Sequence, residues 1–266
     1  MISEATMAAR LTRAKKRIAA ARIAYRAPAP EELPDRLDAV LTVVHLLYTT
    51  GHTAPAGDRL VRVDLVEKVF DLARMLRTLM PDEREVRGLL ALLLLTDARR
   101  ATRTATDGRL LLLAEQDRGR WDRALIAEGA ALVPGALRGG AGRFALQAAI
   151  AALHAEAPTY EDTDWRQIVG LYDVLLTVWT SPVVALNRAV AVSMADGPTA
   201  ALATIEALDV DGRLAGYRYL PATRADLLRR LGRHIEAAAE YRQALELTDN
   251  AAERGFLRRR LDEVSR

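Results

Sequence analysis

Apolar residues recur at three- and four-residue intervals along nearly the whole chain, and the strict alternation of a half-buried strand is almost absent. At the start, Met7, Leu11, Ala14 and Ile18 are spaced 4, 3 and 4. That spacing places them on one face of a helix from about Ser3 to Tyr25. Thr6, Arg10, Arg13 and Arg17 follow the same spacing on another face. Pro28, Pro30 and Pro34 then fall within seven residues. Proline lacks the amide hydrogen and clashes with the preceding turn, so these residues predict the end of the helix and a semi-rigid linker over 28–34. A domain boundary is expected there, between a segment 1–27 and a body 35–266.

Helical patterns follow one another through the body. Helices are predicted over about 35–49, 60–80, 82–100, 116–131, 143–157, 164–179, 182–195, 198–208, 213–231, 234–248 and 250–265. Turn residues separate them, including Gly51, Pro81, Asp107-Gly108, Pro134-Gly135, Pro158, Pro182, Gly197-Pro198 and Gly212. Only 109–113 could pass for a strand, and it is expected to be an extended loop laid on the core. The expected fold class is all-α.

The last third repeats itself. Ala189, Asp196, Ala201, Ile205 and Leu208 each precede Ala225, Gly232, Ala237, Tyr241 and Ala244 by 36 residues. Ile168, Tyr172 and Leu175 precede Ala201, Ile205 and Leu208 by 33. Helix pairs recurring at about 34 residues, with small and large residues at fixed positions, are the mark of tetratricopeptide-like repeats. Small residues let helices approach, and large ones fill the groove beside them. A plain antiparallel array of helical hairpins explains the pattern equally well. Repeat character is expected from about residue 143.

Composition narrows the function classes. Half the residues are apolar and 27% charged, as in an ordinary globular protein. There is no cysteine, which removes disulfides and thiolate metal sites and suits a reducing compartment. No signal-peptide pattern opens the chain, and the longest apolar run, Leu89–Leu95, is far too short to cross a bilayer. A cytoplasmic protein without membrane attachment is expected. The net charge of +3 is unevenly spread: residues 1–26 hold seven basic groups and one acid, so the remainder sums to −3. A polyanion would meet the N-terminal segment.

That segment carries the clearest motif. Thr6-Met7-Ala8-Ala9-Arg10-Leu11-Thr12-Arg13-Ala14-Lys15-Lys16-Arg17 offers an apolar face to hold a helix-turn-helix together and a basic face for a groove. Thr6, Ala9 and Arg10 would reach base edges, and Arg13, Lys16 and Arg17 phosphates. A solvated surface helix, or one lying on an acidic membrane, has the same pattern. The segment resembles the recognition helix in region four of RNA polymerase sigma factors of the extracytoplasmic-function group. The resemblance continues through Leu33–Leu41, Leu89–Arg100, Glu115–Asp122, Asp162–Trp165 and Ser181–Val192, all similar in order to the long helical extension some of those factors carry. Thr49-Thr50-Gly51 and Thr96 depart from the family's pattern. Region two and the first helix of region four have no counterpart, so the chain is expected to be either a fragment of a longer gene product or a remnant that starts at Met1.

The resemblance implies promoter −35 recognition by the first helix. It also implies RNA polymerase core as partner of the full-length parent, and regulation or partner binding by the extension. The rival expectation is a free-standing tetratricopeptide-like adaptor for a peptide or protein. A third is an enzyme using the groove between helices, but catalytic signals are sparse. His45, His52, His154 and His234 show no metal or triad spacing. Gly135, Gly139, Gly140 and Gly142 follow no strand, so they do not form a dinucleotide loop. No cofactor, metal or catalytic residue is expected. Two polar groups in the body remain. Asp97, Arg99, Arg100, Asp117 and Asp122 are expected to form a structural ionic network with Arg118. Asn187 and Arg188 are candidates for partner contact on a concave face, or for an interhelical hydrogen bond. Asp162, Asp164 and Trp165 mark a helix start, with Thr163 or Asp164 capping.

Overall fold

The computed structural model describes residues 4–21, 32–58 and 60–266. The fold is all-α, with twelve α-helices among the described residues. They are α1 (Glu4–Ala20), α2 (Leu33–His52), α3 (Val63–Leu79), α4 (Arg84–Asp97), α5 (Arg123–Leu137) and α6 (Arg143–Glu156). Then follow α7 (Trp165–Val178), α8 (Pro182–Ala195), α9 (Pro198–Asp211), α10 (Tyr219–Arg230), α11 (His234–Glu246) and α12 (Ala251–Val264). The chain forms two compact units, residues 1–40 and 41–266. The division therefore falls inside α2, not in the proline stretch. Pro34 is the second residue of α2, where the missing amide hydrogen would have no helical partner anyway. Most of the expected linker, including Pro28 and Pro30, lies outside the described residues.

The larger unit is built around α4. Its segment Leu89–Leu95 is apolar on every side, and every residue of it is buried, as a helix without a polar face must be. Helices α3, α5 and α6 pack on it. Two glycines set the approach. A Cβ on Gly88 would lie 2.6 Å from the backbone nitrogen of Ala145 in α6, and one on Gly129 in α5 would lie 2.7 Å from Cγ of Leu95. Helix α6 answers with alanines, and Ala145, Ala148, Ala149, Ala152 and Ala155 are all buried.

Glu85 of α4 also caps α6, whose own N-cap Gly142 has no side chain to do so. Its carboxylate accepts from the backbone N–H of Phe144 at 2.9 Å and of Ala145 at 3.0 Å. Beside it Arg84 donates to the carbonyls of Arg138 and Gly140 at 2.9 and 3.2 Å.

From α6 onward each helix packs against the next in sequence, and α12 closes the array against α11. The 36-residue repeat has a geometric counterpart. Ala189, Ala201, Ile205, Leu208, Ala225, Ala237, Tyr241 and Ala244 are buried in one cluster. Gly232 turns the second hairpin at φ 74°, while in the first hairpin Gly197, one place beyond Asp196, does so at φ 92°. Asp164 caps α7 through Gln167 N–H at 2.8 Å, and Trp165 packs edge-on against His154 and Tyr160.

Two local expectations shift. The helix expected over 116–131 is α5, seven residues later, because two aspartates share the start. Asp117 caps only a short 3-10 turn, Arg118–Arg120, through Gly119 N–H at 2.9 Å. Asp122 caps α5, accepting from Ala124 and Leu125 N–H at 3.0 Å each. Pro134 lies within α5 near its end, where it removes one helical hydrogen bond without ending the helix. The stretch 109–113 finds a partner in its own loop: Ala105 N–H donates to Arg109 O and Leu111 N–H to Arg103 O, around Gly108 at φ 81°. A second short pairing is parallel, β1 (Ala56–Gly57) with β2 (Asp249–Asn250). Among the described residues, no helix is long and apolar enough to cross a membrane.

Two predictions follow from this packing. Gly88→Ala drives a methyl into the backbone of α6, so it should lower stability by about 2–3 kcal/mol, read as a reduced urea midpoint. Burial, reinforced by nearby arginines, lowers the pKa of His45 and His154 to about 4 and of His52 to about 2. Each folded-state value lies below the unfolded one near 6.5, so the stabilisation is complete above pH 6.5 and is lost as pH falls, while the unfolded chain takes up protons the folded chain refuses. Urea unfolding at pH 5 should show a loss of about 2 kcal/mol per histidine relative to pH 7.5, smaller by one such share in His154→Gln.

Candidate functional site

Helix α1 presents its predicted residues to solvent: Thr6, Ala9, Arg10, Arg13, Lys16 and Arg17 are all exposed. At 100° per residue, Thr6, Arg10, Arg13 and Arg17 form a narrow stripe, with Ala9 and Lys16 on its flank. Met7, Leu11 and Ile18 lie beside it and are also more than half exposed. The one side-chain bond described for the arginines here is local, Arg13 Nε to Ala9 O at 3.4 Å.

The ionic network expected in the body does not form as one network. Asp97, which is buried, and the partly exposed Arg100 make a close ion pair three residues apart across the end of α4. Asp117 and Asp122 are occupied as caps, as described above. A carboxylate at a helix start is better used on free backbone N–H groups than on a distant guanidinium. Arg118 donates from Nη1 to the carbonyls of His154 and Ala157 at 2.6 and 2.8 Å, fastening the end of α6. Arg103 donates to His52 O and to Thr53 Oγ1. Arg99 is left without an ion pair among the described residues, and burial lowers its pKa.

Arg99 instead lines a cavity of about 380 Å³ between residues of α4, α6, α7 and α8 and the loop that follows α4. Its polar wall includes Arg99, Trp121, Gln147, His154, Tyr172 and Asn187. Leu95, Ile150, Leu175 and Val184 supply the apolar wall. A second chamber of about 520 Å³ shares Arg99, His154, Tyr172 and Asn187 and extends past Tyr160, Trp165, Met194 and Phe256. Burial, with the charges of Arg99 and Arg118, keeps the His154 imidazole neutral. Burial pushes the Tyr172 hydroxyl up to about 12, so it too is neutral. Nε1 of Trp121 and Nδ1 of His154 have no hydrogen-bond partner among the described residues.

The predicted pair Asn187 and Arg188 divides. Asn187 lines both chambers. Arg188, the next residue, points a different way round α8 and ion-pairs with Asp173 of α7 at 2.5 Å. The remaining wall residues were not singled out as a site from sequence. His154, Trp121 and Tyr172 come from three separate segments, and the one available signal was a histidine in an alanine-rich helix. Among the described residues no cluster of acids, histidines or cysteines could hold a metal ion.

Comparison with known proteins adds a relationship but no activity. Residues 36–137 match a family of unknown function (DUF6596). The whole chain is 44% identical over 266 residues to an uncharacterized protein of Rhizobium meliloti (strain 1021). The match covers all of this chain and 62% of that relative, so the chain spans less than two thirds of its length. No solved structure matches.

Proposed function

We propose that this chain is the C-terminal portion of an extracytoplasmic-function type sigma factor, in which α1 reads the promoter −35 element and the helical body acts as a regulatory extension. The observation that carries the reading is α1 itself, an exposed helix with adjacent cationic and apolar stripes whose residues resemble a region-four recognition helix. In this reading Thr6, Ala9 and Arg10 face base edges in the major groove. Arg13, Lys16 and Arg17 face phosphates. The exposed Met7, Leu11 and Ile18 pack on the preceding helix of the same helix-turn-helix. The body is non-enzymatic and cytoplasmic, and the full-length parent engages RNA polymerase core.

A second reading rests on the hairpins of α8–α11, whose buried alanines and groove-filling Ile205 and Tyr241 are the packing of a tetratricopeptide-like adaptor. In that case a peptide or protein partner binds the body and DNA is not involved.

A salt-dependent binding titration of the chain with a short promoter duplex separates the two. With Arg13, Lys16 and Arg17 each neutralising one phosphate, a fourfold rise in salt should weaken binding on the order of fortyfold. Arg13→Ala should reduce the slope of log affinity against log salt by about 1. Arg10→Ala should instead reduce discrimination between promoter and scrambled duplexes. Binding that ignores salt and both substitutions would refute the DNA reading.

A further inference from the structure

We propose that the cavity between α4, α6, α7 and α8 is a binding site for a small organic carboxylate, held by the guanidinium of Arg99. The proposal is independent of what α1 binds.

Four arginines gather around this part of the molecule, and three are spoken for. Arg100 holds Asp97, Arg103 holds His52 O and Thr53, and Arg118 holds two backbone carbonyls. Arg99 alone of the four has neither a carboxylate nor a carbonyl among the described residues, although it is half-buried and lines the cavity. A desolvated charge without a counter-charge is costly. The same arrangement is what an anion site requires: a positive charge in a partly buried pocket, with its partner supplied from outside.

The surroundings define the ligand. No acid lines the smaller chamber, the larger one adds the opposite charges Asp226 and Arg230, and the shared histidine is held neutral, so one net positive charge faces one negative charge. The planar guanidinium matches a carboxylate through two parallel N–H donors, whereas a phosphate dianion would need a second cation there. Asn187 and the neutral Tyr172 hydroxyl supply further hydrogen-bonding groups on the wall. Trp121 is 4% exposed, and its indole N–H has no partner among the described residues, so a buried donor is also waiting for an acceptor. The apolar wall of Leu95, Ile150, Leu175 and Val184 requires the rest of the ligand to be largely hydrocarbon.

The test is thermal unfolding and calorimetric titration of the whole chain with acetate, benzoate, benzamide and inorganic phosphate. Acetate or benzoate should raise the melting temperature, by roughly 5–10 °C at a hundredfold excess over Kd. Benzamide, the uncharged counterpart, and phosphate should not. The shift should vanish in Arg99→Gln and persist in Arg188→Gln, whose arginine lies in the surface ion pair. Without ligand, Arg99→Gln should melt no lower than the wild type, because an uncompensated charge has been removed; this separates loss of the site from loss of the fold. The proposal is overturned if neither carboxylate binds, if benzamide or phosphate stabilises as well as benzoate, or if the carboxylate shift survives in Arg99→Gln.

Discussion

The larger unit depends on how closely α4 can be approached. With Gly88 against the Ala145 backbone and Gly129 against Leu95, α5 and α6 lie on α4 at a distance a single added methyl would forbid. The result is a closely packed centre of leucine and alanine where α4 meets α5 and α6. The Glu85 carboxylate then ties the start of α6 to the same helix, so the first hairpin array is set by α4 in both position and direction. From α6 the stack continues through α7 to α12, each helix packed on the one before it.

The arginines show how context decides what a charge does. On α1 they are solvated, cost little to keep, and are available to any polyanion. In the body, Arg84 and Arg118 hold carbonyls at helix ends, and Arg188 and Arg224 bridge neighbouring helices to Asp173 and Asp209. Arg99 does none of these things. Its surroundings, a neutral histidine, a neutral tyrosine and apolar walls, supply no counter-charge.

Much of the architecture was legible because helical periodicity is a local signal. The boundaries of α6, α7 and α8 fall within a residue or two of the spacing-based expectation, helped by Asp164 as a cap and Pro182 at a helix start. The start of α5 was not legible, since Asp117 and Asp122 are both plausible caps and only the tertiary structure chooses between them. Polar partnerships were less accessible still. Nearness in sequence suggested that Asp97, Arg99, Arg100, Asp117 and Asp122 act together. Pairing instead follows the direction in which each side chain leaves its turn, so adjacent Arg99 and Arg100 have different fates. The cavity wall has no sequence signature because it is assembled from four helices and the loop after α4, segments that only the tertiary structure brings together.

Stacked hairpins usually leave two loose ends, each held by one neighbour. Here the far end is stitched back to the beginning of the body. Asn250, fully buried, caps α12 with its oxygen and donates from Nδ2 to the carbonyl of Ala54 at 3.2 Å, across 196 positions of sequence, beside the parallel pairing of Ala56–Gly57 with Asp249–Asn250. A stack sewn shut in this way cannot peel from its last repeat without also freeing the turn after α2. The number of hairpins is constrained by the same contact, because inserting or deleting one would pull the stitch out of register.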